Sequence, residues 1–281
     1  MHLPRTRDIN LFPALPVTAP IQGGGEFTFY RHPVLRPNAN YGRIWLADSG
    51  ADSTYHGAFV QFTRRFSKGF QVQSSLTWSH AIDDDPDATA VVFGTDDAKI
   101  VQNNLLPNLD RGDANADVRL RFLFSGVWDI NYVPKSANGF LRAVANGWQV
   151  STIATLQSGR PYNSTIGSSS DINNDGNLRN DRTPGQGRNS LRGPNFLNDD
   201  VRVSRFFPLV SERVRLQLIG EAFNITNRVN FVSLRTTQYN FLVPSQFFGG
   251  SFVPLNTALT PAPGSAAGDP RILQLAAKIV F

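Results

Sequence analysis

Three groups of residues are of types that do chemistry. Asp171-Ile172-Asn173-Asn174-Asp175-Gly176-Asn177 sets side-chain oxygens at the first, third and fifth places and a glycine at the sixth. That is how a Ca²⁺ loop begins. The twelfth place needs an acid that grips the ion with both oxygens, but it holds Arg182, and Asp181 falls one residue early. The run is therefore read as a Gly/Asn/Asp turn and is assigned no metal. Asp83-Asp84-Asp85-Pro86-Asp87 is an acidic cluster able to collect cations or basic ligands, but its proline suits a solvated loop. Arg182, Arg188 and Arg192 stand among Gly, Asn and Pro. They have the chemistry to hold an anion, and their surroundings read as a flexible surface loop.

Catalysis finds little to build on. His2, His32, His56 and His80 lie far apart, without ligand spacing, and no G-x-S-x-G elbow, H-E-x-x-H pair or phosphate loop occurs. Asp129 and Glu221 fall on polar strand faces beside Arg119, Arg121, Arg213 and Arg215, where ion pairs are the simpler account. Such pairing keeps a carboxylate charged, which is the wrong direction for a general acid at neutral pH. No enzyme, catalytic residue or cofactor is assigned.

The elements that carry these residues are strands. From Phe70 to Ser79, Phe70, Val72, Leu76 and Trp78 alternate with Gln71, Gln73, Ser75, Thr77 and Ser79, giving one apolar and one polar face. His56 to Phe66 alternates likewise, with Phe59 and Arg64 on the wrong sides, and Ser67-Lys68-Gly69 joins the two as a hairpin. Further strands are expected over Arg119–Ile130, with Leu123 and Val127 as exceptions, over Trp148–Leu156, Arg213–Ala222 and Leu273–Phe281, and more weakly near Gly42–Asp48 and Asp199–Phe207. This makes about eight, most near the ~9–11 residues that cross a bilayer at a tilt.

A soluble sandwich also alternates, and two features favour the membrane. Phe66 and Phe70 flank a turn, and Trp78 shares the face of Phe70 eight residues on. That is roughly 26 Å along a strand, or about 20 Å along the membrane normal at a ~40° tilt, close to the spacing of two aromatic girdles. The connections also alternate between short or intermediate (Ser67–Gly69, Asn131–Gly147, Pro208–Ser211) and long (Ala81–Val118, Gly159–Leu197, Asn224–Pro270). Outer-membrane barrels have this pattern of short periplasmic turns and long outer loops. Charged residues are 17% of the chain, against about 25% in an ordinary soluble domain. There is no cysteine, which excludes a disulfide framework. The net charge of +5 is scattered, with no run of five basic residues, so nucleic acid is not an expected partner. No stretch approaches the ~20 apolar residues of a transmembrane helix, and no signal peptide follows Met1. On a barrel reading, the natural N-terminus is expected to lie elsewhere.

Several runs carry a resemblance. Ala277-Lys278-Ile279-Val280-Phe281 closes an alternating strand on an aromatic residue. Leu273, Leu275, Ala277, Ile279 and Phe281 thereby resemble the signal that the barrel-assembly machinery recognises. Leu76-Thr77-Trp78-Ser79-His80-Ala81-Ile82-Asp83-Asp84, with the hairpin from Phe59 to Phe70 before it, resembles a strand-to-loop junction of TonB-dependent receptors of the Oar-like, carboxypeptidase-regulatory-like-domain type. Gly147-Trp148-Gln149-Val150 with Gln157-Ser158-Gly159-Arg160-Pro161-Tyr162, Glu221–Phe231, and Gly268-Asp269-Pro270-Arg271 are similar to further segments of that family. The resemblance spans about Gly42 to Phe281. It implies the C-terminal part of a barrel of about 22 strands with an N-terminal plug, energised by TonB. No plug or TonB box is visible in this chain, so TonB would act only through a plug elsewhere.

The expected fold is therefore all-β, an antiparallel up-and-down transmembrane barrel segment of about eight strands with long outer loops. Residues 1–41 are an irregular lead-in, and 42–281 are the C-terminal part of the barrel. The location is the cell outer membrane, and the partners are membrane lipid, the assembly machinery and an unnamed extracellular ligand. A stand-alone small barrel with a structural or adhesive role is the alternative, and a soluble carbohydrate-binding sandwich a more distant one. The apolar set (Phe62, Phe70, Leu76, Trp78, Leu120, Phe122, Trp148, Leu216, Leu218, Leu275, Ile279) should share the lipid side, and the sheet is expected to stay open.

Overall fold

Phe70↔Trp128, Trp128↔Val150, Val150↔Val203 and Val203↔Gly220 are directly opposed across successive strands, so the apolar alternation of each strand adds to that of the next. In the computed structural model of the chain, twelve strands of four residues or more organise the description. These are β1 (His2–Asp8), β2 (Leu15–Pro20), β3 (Glu26–Arg31), β4 (Trp45–Ser67), β5 (Phe70–Asp83), β6 (Leu120–Ile130), β7 (Trp148–Gln157), β8 (Phe196–Ser211), β9 (Val214–Phe223), β10 (Thr237–Leu242), β11 (Ser251–Pro254) and β12 (Ile272–Val280). The structure describes residues 2–84, 101–103, 106–167, 171–177, 181–211, 214–231, 233–242, 250–255, 260, 262, 266–267 and 270–281. Asp85, Pro86, Asp87, Arg213, Gly268 and Asp269 lie outside them. No helix among the described residues is long and apolar enough to cross a membrane.

The main sheet is antiparallel and meandering, in the order β1-β4-β5-β6-β7-β8-β9-β12, with Gly112–Asp113 paired to the far end of β5. Each expected apolar residue falls on one face of it: Phe62↔Ser74, Leu76↔Phe122, Trp78↔Leu120, Trp148↔Arg205, Leu216↔Ile279, and Leu275 opposite Gly220. That face is not a core. Phe62, Leu76, Trp78, Leu218, Leu275 and Ile279 are all exposed, and Leu275 is 89% so. The sandwich reading, which needs this face filled by a second sheet, is thereby set aside. The other face carries Gln73, Ser75, Ser125, Gln149, Ser151, Ser204 and Gln217. Gln149 donates to Asp129 at 2.8 Å and Gln217 to Ser204 at 3.3 Å.

One end of the sheet is closed by short links. Lys68 (φ 55°) and Gly69 (φ 78°) form the β4–β5 turn, and both need the left-handed region that primed hairpin turns require. A Cβ on Gly69 would sit 2.7 Å from the Asp129 carbonyl, so glycine is needed there for space as well. The β6–β7 link holds a short helix, α1 (Gly139–Ala145), capped by the Asn138 side chain. Phe70, Trp128, Trp148 and Phe207 form a belt at this end, with Arg64 lying 5.4 Å over Phe70 and Arg205 5.0 Å over Trp148. A guanidinium over an aromatic face is a stable way to hold charge on a side otherwise apolar.

Three readings are corrected. The segments near Gly42–Asp48 and His56–Phe66 are one strand, β4, running 23 residues without a break. The lead-in is not irregular: β1 pairs with β4 from Asp8↔Trp45 to His2↔Asp52. Arg5 lies 3.3 Å from Asp48, and Arg7 also pairs with it, so these charges support the strand pairing. Ion pairing on the polar face follows other partners than expected. Glu221 lies 3.7 Å from Arg202, Asp129 accepts from Gln149, and Arg215 stacks 5.0 Å over Phe206.

The sheet is open. β12 pairs with β9 and β4 pairs with β1 and β5, and no ladder joins β12 to β1 or β4 among the described residues. The packed core lies in the long connections at the other end. Ala19, Phe29, Ile166, Ile172, Phe241 and Phe252 are buried together, flanked by Val17, Ile21, Phe27 and Tyr239. They come from the β2–β3 hairpin, the β10–β11 hairpin and the segment Thr165–Ile166, which runs parallel to β10, with Ile172 added from the loop that follows it. The rings meet edge to face, Phe27 with Phe252 at 5.1 Å and Phe27 with Tyr239 at 5.2 Å, the favoured aromatic geometry. Loops expected to be structureless thus build a small cap.

Candidate functional site

The cap is where unlike charges converge. Asp113 and Asp117, between the Gly112–Asp113 bridge and β6, face Arg119 at the entry to β6 and Arg192 from the loop after β7. Arg119 reaches Asp113 at 2.9 Å and Asp117 at 2.8 Å, and Arg192 reaches Asp117 at 2.6 Å and Asp113 as well. His80 Nε2 lies 2.9 Å from Asp113. Burial pushes both carboxyls up, but hydrogen bonds from His80 and Arg119 to Asp113, and from Arg192 and the Ala81 N–H to Asp117, outweigh it. Both are held below the usual carboxylate value of 3.8.

Two deeper pairs join the same loops. Arg182 donates to Asp110 at 2.5 Å and to the Leu109 carbonyl at 2.8 Å. Burial raises the Asp110 carboxyl beyond what Arg182 offsets. Arg188 pairs with Asp83 and donates to the Asp110 carbonyl at 2.6 Å, and burial lowers its guanidinium to about 10, still charged at neutral pH. Asp84 accepts from the Asp52 N–H at 2.5 Å. Two sequence readings change here. Asp83 and Asp84 are buried (6% and 7% exposed), not solvated, and the three arginines are held by aspartates, not free on a flexible surface. Of the histidines, His32 is buried with Nδ1 2.7 Å from the Phe12 carbonyl, and His80 joins the cluster.

His80, Asp113 and Asp117 bring ligand atoms within 4.8 Å of one another, the spacing of a metal site. Arg119 and Arg192 already supply the positive charge there, so the chemistry is that of a structural ion network. Against the apolar core and Arg182 lies a cavity of about 310 Å³, lined by Phe29, Tyr30, Gln102, Asn173, Arg182 and Gln186 among others. It combines aromatic surface with amides and one cation, as small-molecule sites do.

An open meander with one apolar exposed face, an aromatic belt, and folded loops at one end matches what the family comparison finds. The family model described as outer membrane beta barrel domain matches residues 1–188 and 180–274. The chain belongs to the outer membrane beta barrel domain family. No curated protein and no solved structure matches it. The barrel domain therefore resides in the outer membrane, its apolar face is the lipid face, and its polar face is the lumen side. β12, with the residue after it, presents Leu273, Leu275 and Phe281 almost bare, at 73%, 89% and 93% exposure, with Ala277 and Ile279 on the same face. With the short links at the periplasmic end, the cap is the outer mouth of the barrel domain. The sequence does hold a signal for the cap network: acids cluster between Asp83 and Asp117 and bases between Arg182 and Arg192.

Proposed function

We propose that the barrel domain is the C-terminal wall and outer cap of a TonB-dependent receptor that takes a ligand from outside the cell. The observation that carries this reading is the open sheet. In hydrocarbon each unpaired backbone group costs several kcal/mol, so the free edges of β12 and of β4 below β1 require further strands. A larger barrel supplies them, with TonB acting through a plug carried outside these residues. The polar lumen face, the cavity in the cap and the family-like runs from Gly42 to Phe281 support it, and no catalytic step is needed. The assembly machinery would engage β12 through Leu273, Leu275, Ala277, Ile279 and Phe281.

A stand-alone small barrel is the competing reading, and edge chemistry separates the two. Gln61 on β4 and Ala276 on β12 lie at similar depth on the lumen side. With Gln61→Cys and Ala276→Cys in one chain in outer membranes, a short bifunctional maleimide should give no intrachain link. An efficient link would mean that β4 and β12 are neighbours, and the receptor reading would be lost.

A further inference from the structure

We propose that the lipid face carries a site for one phospholipid of the periplasmic leaflet, with Arg205 holding its phosphate and a groove over Gly220 holding an acyl chain. Arg205 is on the lipid side, opposed by Trp148 and Leu218 on its two neighbouring strands. Its guanidinium lies 5.0 Å over the Trp148 ring and 4.8 Å over Phe207, and its Nη1 donates to the Val144 carbonyl of α1 at 3.3 Å. Among the described residues no carboxylate pairs with it. Asp199, the acid on the same face of β8, is six residues away, roughly 20 Å, and accepts from the Thr226 hydroxyl at 2.9 Å. Glu221 lies on the lumen side with Arg202. A guanidinium on a lipid face needs an anion or a path to water. Trp148 opens β7 at the end of the short links, so Arg205 stands at headgroup depth, where phosphate is the anion that a bilayer offers.

The groove begins beside that guanidinium. It encloses about 250 Å³ between Trp148, Phe207, Val203, Leu218 and Leu275, with Gly220 leaving the gap. Gly220 is opposed by Val203 on one side and Leu275 on the other, and a Cβ added to it would come no nearer than 3.6 Å to Leu275. Close packing therefore does not demand glycine there, and its effect is to leave an apolar channel in the wall. The channel walls are apolar and its one charge is Arg205, which is the order of a lipid tail leading to a headgroup. The helix α1 continues this surface. Phe140, Leu141 and Val144 are exposed, Phe140 at 79%, and the link from Asn131 to Gly147 holds Lys135 and Arg142 but no acid. Trp148 Nε1 also donates to the Val144 carbonyl, at 2.8 Å, so two lipid-face side chains tie the helix to this side of the wall. The rim is thus apolar and positively charged, continuous with the lipid face and complementary to a phosphate-bearing headgroup.

The test uses the full chain extracted from outer membranes in detergent, stripped of lipid, titrated with phosphatidylglycerol and read by native mass spectrometry. One tightly held phospholipid per protein is expected. Diacylglycerol with the same acyl chains should bind at least ~10-fold more weakly, as should phosphatidylglycerol to Arg205→Gln, because each lacks the charge-assisted bonds to phosphate. Gly220→Leu, which fills the groove and keeps Arg205, should weaken binding by a similar factor. Arg64→Gln removes the guanidinium over Phe70, in the same belt but away from the groove, and should leave binding unchanged. Heat-modifiable migration checks that each variant is folded, and the comparison of the two lipids on the unaltered chain needs no variant. No retained phospholipid, equal binding of diacylglycerol, full affinity in folded Arg205→Gln or Gly220→Leu, or an equal loss in Arg64→Gln would overturn the proposal.

Discussion

Replacing Asp117 by asparagine removes a carboxylate that sits between Arg119, Arg192 and the Ala81 N–H. Arg119 and Arg192 keep Asp113 as a partner, so the cost falls below the roughly 3–5 kcal/mol of a fully buried pair broken on one side. Asp117→Asn should therefore loosen the loops that Arg119 and Arg192 anchor, seen as faster amide exchange at Ala81 and around Arg192, with the sheet unaffected. The same residues set a pH response. The folded-state values of Asp113 and Asp117 lie below 3.8, so their contribution is complete above that pH and is lost as pH falls through the lowered values. Corrected for the intrinsic exchange rate, protection at Ala81, whose N–H Asp117 holds, should fall only below about pH 4, and Asp113→Asn should blunt the fall. Sequence reading singled out Arg119, Arg182, Arg188, Arg192, Asp83 and Asp84, but not Asp110, Asp113 or Asp117, and not the pairing. Partners such as Arg182 and Asp110 meet through the fold, and only the opposite charge of two distant loops hinted at it.

Strands were far more legible, because a period of two is a local property. Leu218 and Gln217 are neighbours on β9, but they belong to opposite faces, with Leu218 exposed and Gln217 buried. Leu218→Arg should cost about 2–4 kcal/mol of folding free energy in bilayers if it lies near the midplane, while a charge at Gln217 is expected to cost far less. Refolding titrations into lipid vesicles measure both, and equal costs would contradict the assigned faces. On β12, Phe281→Ala should reduce insertion without reducing synthesis, and protease protection of outer membranes reads the difference. What alternation did not reveal was continuity and context. β4 looked like two strands because Asp48, Ser49, Gly50 and Asp52 interrupt the apolar rhythm where the strand rises past the lipid into the cap. β1 was missed because its pattern of arginines and a proline becomes a strand only against Asp48.

At the scale of the molecule, the sheet and the cap have separate packing. Phe252, fully buried, holds Phe27, Phe29 and Phe241 together. Phe252→Ala should cost the cap roughly 3–5 kcal/mol and raise exchange over β2, β3, β10 and β11 together. Heat-modifiable migration of the sheet should persist, and loss of both at once would show a single cooperative unit. The cap's apolar core was not visible in the sequence, where its segments read as an irregular lead-in and two long loops with no shared period. Ile21 bridges to Phe252, and the Gln22 N–H donates to the Phe252 carbonyl at 2.8 Å. These residues stand nearly a full chain length apart, one beside the first strands of the sheet and the other just before the last. Contacts of such separation carry a large loop-closure entropy and slow folding. The knot of aromatics is therefore expected to close late, after Phe252 has been exported, and the interval before it should leave the outer loops open to surface proteases. A pulse of protease added soon after export should cut these loops, and the same pulse minutes later should not.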